Sequence, residues 1–354
     1  MKESIGKTLS ALNGPILVTG HTGFKGTWLT LLLQSINIEV VGISLPPTEE
    51  SLYSRANRSG KIREEFIDIR DSGKLASIVS KIKPVGIFHL AAQPLVLESY
   101  KAPLETFETN VMGTANLMDA AFKTDSTKFI ISATTDKVYK NEEKGIRFKE
   151  SDALAGKDPY SASKVGAEAV IAAWQQISRV NSGPSLVSVR AGNVIGGGDF
   201  SEDRLLPDIV RGFINNSRVV IRNPQSTRPW QHVLDPLLGY LMTAKSVLSG
   251  EYLEAVNFGP DENSLTVGKV IEIVNSEGAM GKITNLEIQS EFANARVESQ
   301  LLDLDSSLAH NKFGWKPSWT QKEAVIATIS WWDLVLNQGL TCEQACENDL
   351  RLIP

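Results

Sequence analysis

The sequence predicts an α/β fold, a doubly wound parallel sheet with a smaller C-terminal lobe, from three observations. The chain has 354 residues, more than twice the roughly 150 of a typical domain, so it can bury a large core. Over about the first 190 residues, short β-branched runs alternate with longer helical patterns, as in a parallel sheet covered by helices on both faces. A glycine-rich turn follows the first apolar run directly.

The β-branched and apolar runs predict strands at Ile16–Thr19, Val40–Ser44, Val85–Leu90, Phe129–Ala133 and Leu186–Arg190. The stretches between them have the length and apolar spacing of crossover helices, at Trp28–Gln34, Leu75–Ile82, Val111–Phe122 and Ser161–Gln176. Beyond these elements, glycines and prolines break the alternation. We therefore expect one domain over residues 1–190 and a smaller lobe over 191–234 and 260–354, with 235–259 returning to the main sheet through a strand at Val256–Phe258.

Composition narrows the class of protein. The net charge is -5 and the basic residues form no stripe, which argues against nucleic acid as a partner. Apolar runs are far too short to span a membrane, and residues 1–13 lack the apolar core of a secretory signal. Cys342 and Cys346 stand four apart in a helical pattern, and with four scattered histidines they match no zinc site. We expect a cytoplasmic protein with no metal, no membrane partner and reduced thiols.

The glycine-rich turn predicts a dinucleotide site. Gly20, Gly23 and Gly26 recur every third residue between the first strand and the first helix. The first glycine would allow the tight turn, the second the close approach of a pyrophosphate to the helix N-terminus, and the third close helix packing. The alternative is a glycine-rich turn without a ligand. The strand before it and the helix after it favour the dinucleotide.

Tyr160 and Lys164 form the candidate catalytic pair. Asp158 and Pro159 suit the N-cap and first position of a helix, which would put Tyr160 and Lys164, four apart, on one face. A lysine ammonium beside a phenol lowers the pKa of the phenol, so Tyr160 could act as a general base on a sugar hydroxyl. The alternative is an exposed tyrosine and a solvated lysine.

Thr135 and Asp136 follow the buried run Phe129–Ala133. In open α/β sheets, ligands bind beyond the carboxyl ends of the strands. Thr135 is therefore placed to bind a substrate hydroxyl, and a protonated Asp136 could deliver a proton to a departing hydroxide. The alternative is a turn capped by the two side chains.

Together, the turn beginning at Thr19 and the pair Tyr160 and Lys164 resemble the extended short-chain dehydrogenase/reductase family, whose patterns are TGxxGxxG and YxxxK. The resemblance implies a Rossmann-type domain that holds NAD. No carboxylate for the ribose stands in Gly42–Leu45, so the choice between NAD and NADP stays open here. By position, the family's cofactor contacts fall on Gly20, Thr22, Gly23, Phe24, Lys25, Gly26, Asp68, Ile69, Leu90, Ala91, Ala92, Asn110, Tyr160 and Lys164.

Within this family, residues from about 15 to about 335 are similar to the nucleotide-sugar dehydratases that act on CDP-glucose. The blocks that carry this likeness are GHTGFKG from Gly20, RAGNVIGGGD from Arg190, and IRNP from Ile221 through RPWQHV from Arg228. The resemblance implies oxidation of the sugar at C4 by bound NAD, loss of water across C5 and C6, and return of the hydride to C6. The product would be CDP-4-keto-6-deoxyglucose, a deoxysugar precursor of the kind used in lipopolysaccharide O-antigen synthesis.

The resemblance also assigns roles. Tyr160, helped by Lys164 and Thr135, would take the C4 hydroxyl proton, and Asp136 would protonate the leaving hydroxyl. Related dTDP-glucose dehydratases have a glutamate as the C5 base where this chain has Lys137, so either Lys137 or another group is the base. The residues implied to face the substrate are Gln93, Asn193, Arg204, Arg228 and Asn257.

Three other functions remain open at this point. A nucleotide-sugar 4-epimerase needs the same Tyr160, Lys164 and NAD but no acid at C6, and Asp136 favours the dehydratase. A dehydratase for another nucleotide hexose would carry the same catalytic groups. A cofactor-binding module without turnover would not need Thr135, Tyr160 and Lys164. For an enzyme of this kind we expect a homodimer or homotetramer.

Overall fold

A seven-stranded parallel sheet forms the centre of the computed structural model, which describes residues 1–221, 223–283, 286–288 and 301–354. Its strands lie in the order β3-β2-β1-β4-β5-β6-β7. Their bounds are β1 Ile16–Thr19, β2 Val40–Ser44, β3 Arg63–Phe66, β4 Gly86–His89, β5 Phe129–Ala133, β6 Ser185–Ala191 and β7 Ala255–Phe258. This is the predicted doubly wound fold.

Most of the remaining described chain is helical. The α-helices are α1 Lys2–Ser10, α2 Phe24–Ser35, α3 Leu52–Arg55, α4 Ser72–Ile82, α5 Val96–Lys101, α6 Pro103–Phe107, α7 Gly113–Phe122, α8 Pro159–Asn181, α9 Leu205–Asn215, α10 Leu234–Leu248, α11 Val267–Glu277, α12 Ser307–Phe313, α13 Gln321–Leu336 and α14 Cys342–Leu352. A π-helix over Glu108–Met112 leads into α7, and a 3₁₀ turn over Asp136–Val138 follows β5. Among the described residues, no helix is both long and apolar enough to cross a bilayer.

The sheet separates two apolar layers. On one face, α4, α7 and α8 pack through residues such as Val79, Leu117 and Ile171 against Leu17 and Ile130 of the strands. The other face is covered by helices that include α2 and α10 and belongs to a larger core, which also takes in α13 and α14. Both layers end at the carboxyl edge of the sheet, where the chain leaves the strands for the loops that carry polar residues.

The point where the strand order reverses lies beside β1. Ile16 pairs with Val40 of β2 on one side and with Gly86 of β4 on the other. The chain therefore leaves β1 and β4 in opposite directions, and a crevice opens between their carboxyl ends. In sheets of this topology, dinucleotides bind in that crevice.

The C-terminal part of the chain is tied to the main domain. β7 returns to the sheet and pairs in parallel with β6, as predicted from Val256–Phe258. The Trp331 ring of α13 lies against Gly197, where a Cβ would fall 1.9 Å from the ring, and Trp28 of α2 donates a hydrogen bond to the Gly197 carbonyl. The loop after β6 is thus fixed between α2 and α13. The division into domains at 190, 234 and 260 stays a prediction.

The short strands lie outside the main sheet, at Arg147–Phe148, Val194–Ile195, Val219–Ile221, Thr227–Arg228, Gln231–His232, Leu265–Thr266, Leu286–Ile288 and Asp303–Leu304. Arg222, part of one block that carried the family likeness, lies outside the described residues. Cys342 and Cys346 are buried, free thiols, and burial raises the pKa of both. Raised pKa values make thiols poor nucleophiles.

Candidate active site

The glycine-rich turn packs too tightly for side chains at two of its glycines. Gly20 has a φ of +74°, and a Cβ there would lie 2.8 Å from the Ala91 nitrogen of the loop after β4. At Gly26, a Cβ would fall 2.0 Å from the Gly20 carbonyl oxygen. The turn and the first turn of α2 therefore touch backbone to backbone, which holds the N-terminus of α2 in the crevice.

Space and charge at this helix start fit a pyrophosphate. A Cβ at Gly23 would meet only the Gly20 oxygen, at 3.4 Å. No side chain caps α2 and no acidic residue lies in its first turn, so the first N–H groups remain available for an anion. Thr22 instead bonds to Ser44 at 2.7 Å and fixes the turn to the end of β2. These features are the cradle that the dinucleotide prediction requires.

A buried histidine holds the loop after β4 against this turn. The Thr114 hydroxyl donates to the Asn110 carbonyl at 2.7 Å, so it accepts from His89 Nε2 at 3.0 Å. His89 Nδ1 then accepts from the Thr19 hydroxyl at 2.7 Å. Burial, with the charge of Lys164, lowers the pKa of His89 to about 3. The imidazole is therefore neutral and serves as a fixed link, which the sequence did not indicate.

The side chains of Asn110 and Gln93 form hydrogen bonds to other groups of the protein. Asn110 exchanges two hydrogen bonds with the Gln93 backbone, at 2.8 and 3.0 Å, and donates to Ser163 of α8 at 2.9 Å. The Gln93 amide donates to Thr106 and to the Leu95 carbonyl, and its oxygen accepts from the Leu95 nitrogen. The amide groups expected to face cofactor and substrate thus bind the loop over residues 90–95 and α8, which positions the crevice wall.

Five other residues assigned to the cofactor lie at the edge of the crevice or in the core. Asp68 pairs with Arg70 at 2.6 Å, which lowers the pKa of Asp68. Ile69 is buried in the layer of α4 and α7. Leu90 and Ala91 donate their backbone N–H groups to Thr19 at 3.2 and 3.3 Å. Ala91 and Ala92 are half-buried beside the glycine turn.

Tyr160 and Lys164 lie on the first turns of α8. The helix begins as predicted: Asp158 accepts from the Ser161 nitrogen at 2.8 Å in a capping box, and Pro159 is its first residue. Tyr160 is 8% exposed. Lys164 donates to the Ala133 carbonyl at the end of β5, at 3.2 Å. The pair therefore lies at the carboxyl edge of the sheet, beside Thr135 and Asp136.

The pKa of Tyr160 shifts opposite to expectation. Burial raises it to about 12, although a hydrogen bond with Thr135 and the charge of Arg204 act in the other direction. Burial also lowers the pKa of Lys164 to about 8, against the influence of Glu168. Desolvation of the ionised groups outweighs the favourable effect of neighbouring charges. The protein alone thus keeps Tyr160 protonated.

Asp136 is a buried acid with one free oxygen. It is 2% exposed, and its Oδ1 accepts from the Thr135 hydroxyl at 3.0 Å. Oδ2 is buried without a hydrogen-bond partner, 3.0 Å from where a Cβ on Gly192 would lie. Burial raises the pKa of Asp136 to about 6, and Lys137, Thr135 and Arg228 oppose the shift. Such a carboxyl can hold a proton near neutral pH.

Lys137 follows in the same 3₁₀ turn. Its backbone N–H donates to the Thr135 hydroxyl at 3.3 Å, and the residue is half-buried. Thr135, Asp136 and Lys137, which the sequence placed beyond the end of β5, are therefore together with Tyr160. Among the residues that the structure describes, no cluster of His, Cys, Asp and Glu side chains could hold a metal ion.

Comparisons with known proteins agree with this geometry. A family model described as GDP-mannose 4,6 dehydratase matches residues 17–328. The chain belongs to this family. It is also 41% identical to a CDP-glucose 4,6-dehydratase from Salmonella typhimurium over 325 residues, 89% of each chain, which confirms the likeness to the CDP-glucose branch. A UDP-glucose 4-epimerase from Lacticaseibacillus casei is 26% identical over 90% of this chain and 96% of its own.

Solved structures of nucleotide-sugar enzymes share the fold. A dTDP-glucose 4,6-dehydratase from Streptomyces venezuelae, with NAD bound, superposes with a TM-score of 0.76 at 21% identity, over 92% of this chain and 98% of its own. A UDP-glucose 4-epimerase from Thermotoga maritima, with UDP-glucose, gives 0.78 at 20% identity, over 91% and 100%. The predicted doubly wound, Rossmann-type fold is thereby confirmed.

In this member of the GDP-mannose 4,6 dehydratase family, a buried ion pair lies close to Lys164, the lysine of the candidate catalytic pair. Glu168, one helical turn after Lys164, accepts from Arg190 of β6 through both carboxylate oxygens, at 2.8 and 2.9 Å. Thr134 and Ser188 also donate to it, each at 2.6 Å. The sequence analysis missed this network. The four-residue spacing from Lys164 to Glu168 is the signal that could have found it.

The expected substrate residues of this family member divide into two groups. Arg204, just before α9, and the buried Arg228 influence the protonation of Tyr160 and Asp136, respectively, and half-buried Asn193 lies in the loop after β6. Asn257 is different, because it is fully buried, accepts from the Tyr139 hydroxyl at 2.6 Å and donates to the Phe148 carbonyl at 2.9 Å. The structure gives Asn257 an internal position in place of the expected substrate contact.

Proposed function

We propose that the chain is an NAD-dependent lyase that converts CDP-glucose to CDP-4-keto-6-deoxyglucose and water. The observation that carries the proposal is the buried carboxyl of Asp136, whose Oδ2 has no partner and whose pKa is raised to about 6. An epimerase has no use for an acid at C6, whereas a dehydratase must expel a hydroxide there. The 41% identity with the Salmonella CDP-glucose 4,6-dehydratase supports the choice of substrate.

NAD fits the crevice between β1 and β4. Gly20, Gly23, Gly26 and the uncapped start of α2 would hold its pyrophosphate, and the half-buried residues Leu90, Ala91 and Ala92 would line its path. Solved neighbours with this fold contain NAD. When bound, NAD accepts a hydride from the sugar and gives it back later in the cycle.

The first chemical step is oxidation at C4. Tyr160 takes the hydroxyl proton, while Thr135 steadies the sugar oxygen and Lys164 stabilises the phenolate. The protein alone keeps the pKa of Tyr160 at about 12, so the charge of the assembled site has to lower it. Two electrons leave with the C4 hydrogen, and a C4 ketone forms.

Elimination follows, because the ketone makes the C5 hydrogen acidic. Lys137 is the proposed acceptor of the C5 proton, and the C6–O bond breaks as Asp136 gives a proton to the leaving hydroxyl. Water is lost, and a C5–C6 double bond forms. Return of the hydride to C6 and of a proton to C5 completes the product with no net change in NAD.

The nucleotide diphosphate would be held by residues beyond β6. Arg204 and Arg228 supply guanidinium groups, which can bind phosphate oxygens in pairs, and Asn193 supplies an amide. Arg204 and Arg228 influence the protonation of Tyr160 and Asp136, and Asn193 follows Gly192, where a Cβ would lie 3.0 Å from Asp136. An anchored diphosphate would leave the hexose pointing toward Thr135 and Tyr160.

One assay tests this function. The purified protein is incubated separately with CDP-glucose, dTDP-glucose and GDP-mannose, and the products are analysed by mass. We expect loss of one water from CDP-glucose without added NAD being consumed, and NAD in the supernatant of the denatured protein. Conversion to an isomer of equal mass would indicate an epimerase instead. Water loss from dTDP-glucose or GDP-mannose would show that the substrate is that sugar nucleotide. No conversion of any of the three would indicate a cofactor-binding module without turnover.

We also propose that the enzyme is a homodimer or homotetramer in the cytoplasm. Support for an assembly comes from large apolar side chains that are exposed around α6 and the π-helix, Leu104 at 72% and Met112 at 56%, since exposed apolar patches often mark interfaces. Light scattering of the protein and of Leu104→Glu tests this, with a smaller particle expected for the variant. Cell fractionation tests the location.

A further inference from the structure

One lysine of the glycine-rich turn contacts the neighbouring helix α10. Lys25 is the second residue of α2, and its Nζ donates to the Tyr240 hydroxyl of α10 at 2.7 Å. The same ammonium lies 4.9 Å from the centre of the Tyr240 ring, within the range of a cation–π contact. The side chain is therefore fixed toward the sheet.

The groups assigned to catalysis lie near the Lys25 ammonium. Lys164, Arg204 and Asp136 are all close enough to influence the protonation of Lys25, and burial together with the two cations lowers its pKa to about 7. The Tyr240 hydroxyl is in turn influenced by Tyr160. Lys25, Lys164 and Arg204 thus lie near the carboxyl of Asp136, while Arg204 also pairs with Asp199 and Glu168 acts on Lys164.

Lys25 approaches the site from the opposite layer to the catalytic tyrosine. Tyr160 and Lys164 come from α8, on one face of the sheet, whereas α2 and α10 cover the other face. The hydroxyl proton taken by Tyr160 and the hydride leave adjacent atoms of the sugar. The ring that accepts the hydride therefore has to lie near Tyr160, in the space between the two layers.

We propose that Lys25 tunes the bound cofactor, making NAD a stronger hydride acceptor. The oxidised nicotinamide ring is a cation and the reduced ring is neutral. A fixed ammonium nearby disfavours the cation and leaves the neutral form unaffected, which favours oxidation of the sugar. The inference rests on the proposed function, since it concerns the residue's effect on NAD.

Another role for a lysine in this turn would be to bind the pyrophosphate. The two roles differ in a measurable way, because the pyrophosphate is the same in NAD and NADH. Loss of a phosphate contact weakens the binding of NAD and of NADH by the same factor. Loss of the tuning charge changes the ratio of their dissociation constants.

The experiment measures that ratio by calorimetric titration of cofactor-free protein with NAD and with NADH, at a pH below 7, where Lys25 is protonated. The variants are Lys25→Met, of similar length without charge, and Lys25→Arg, which keeps the charge. Lys123→Met, an exposed lysine paired with Asp119 on α7, is the control. We expect Lys25→Met to shift the ratio toward NAD by roughly 10- to 100-fold, and the other two to stay near the wild-type ratio.

Each outcome is informative. A Lys25→Met protein that loses affinity for both cofactors in proportion would overturn the proposal in favour of pyrophosphate binding. An unchanged ratio at unchanged affinity would also overturn it. If Lys25→Met did not fold, a wild-type ratio in Lys25→Arg together with a shift in Lys25→Gln would support it. If the wild type bound neither NAD nor NADH, the proposed function itself would fail.

Discussion

Glu168 and Arg190 form a bidentate ion pair, at 2.8 and 2.9 Å, one helical turn after Lys164 on α8. Both side chains are buried. Hydrogen bonds from Thr134 and Ser188 complete the shell of the carboxylate. A pair of this kind fixes the end of β6 to the middle of α8, so it should contribute to stability as well as to the position of Lys164.

Glu168→Gln should therefore destabilise the protein. The substitution leaves the Arg190 charge buried without its partner, and such a loss costs about 3 kcal/mol or more. In urea unfolding, the urea concentration at the midpoint should fall, while the dependence of the unfolding free energy on urea concentration stays unchanged. Glu254→Gln is the matched control, because Glu254 pairs with Arg179 on the surface and is 60% exposed at its side chain, where such pairs contribute about 0–1 kcal/mol. Equal midpoints for both variants would contradict the prediction.

Tyr160→Phe should fold, bind NAD and lose most activity. The change removes only the phenolic oxygen that is proposed to take the proton of the C4 hydroxyl, and a general base typically contributes about 10²–10⁴-fold. Turnover of CDP-glucose and the NAD content of the purified variant are the two measurements. Tyr252→Phe, at an exposed tyrosine far along the chain, should behave as wild type. Wild-type turnover in Tyr160→Phe would remove Tyr160 from the mechanism.

The pH dependence of elimination should follow Asp136. Its pKa is raised to about 6, so the carboxyl is protonated below that pH and loses its proton above it. Since the acid has to give a proton to the leaving hydroxyl, the rate of water loss in a single turnover should fall as pH rises through 6. Asp136→Asn should lower the rate and abolish this dependence. A rate that rises through the same range in the wild type, but not in Asp136→Asn, would show that Asp136 acts as a base.

Lys137→Met should separate oxidation from elimination. If Lys137 is the C5 base, the variant should still reduce NAD in a single turnover but fail to exchange the C5 hydrogen for deuterium in D₂O. Asp136→Asn should show the reverse, exchange without loss of water. Lys140→Met, at an exposed lysine paired with Glu142, controls for the loss of a nearby charge. Undiminished exchange in Lys137→Met would exclude Lys137 as the base.

The glycines of the turn should differ in their sensitivity to a methyl group. Gly26→Ala should destabilise the fold, because the Cβ would lie 2.0 Å from the Gly20 oxygen. Gly23→Ala should leave stability nearly unchanged, since the nearest atom is 3.4 Å away, yet weaken NAD binding by placing a methyl group at the helix start. Thermal unfolding and NAD titration of both variants test this. Normal NAD affinity in Gly23→Ala would place the pyrophosphate elsewhere.

Sequence patterns located the buried strands well. β1, β2 and β5 have the predicted bounds, and β4 and β6 differ by one residue at each end. β3 was missed, because Arg63-Glu64-Glu65-Phe66 is a charged strand at the edge of the sheet, where no continuous apolar run is needed. Helix α2 begins at Phe24, four residues before the predicted start, so its first turn includes Lys25 and Gly26 of the glycine-rich turn.

The candidate site was predicted where local chemistry determines it. Tyr160, Lys164, Thr135 and Asp136 come together because the ends of parallel strands and the start of the next helix share one edge. Asn257 shows where the sequence was insufficient. A pattern fixes the position of an amide on a strand, but not whether Tyr139 and Phe148, distant along the chain, already occupy its hydrogen bonds.

The contact of Trp331 with Gly197 links the C-terminal helices to the loop that carries Asn193 and Arg204. The indole ring leaves no room for even a methyl group at Gly197, so any change in the packing of α13 moves that loop as well. On the proposed function, in which Asn193 and Arg204 hold the nucleotide diphosphate, substrate preference can therefore change through substitutions in α13 that never touch the sugar nucleotide. Libraries aimed at new nucleotide bases should then include the residues around Trp331 alongside those of this loop.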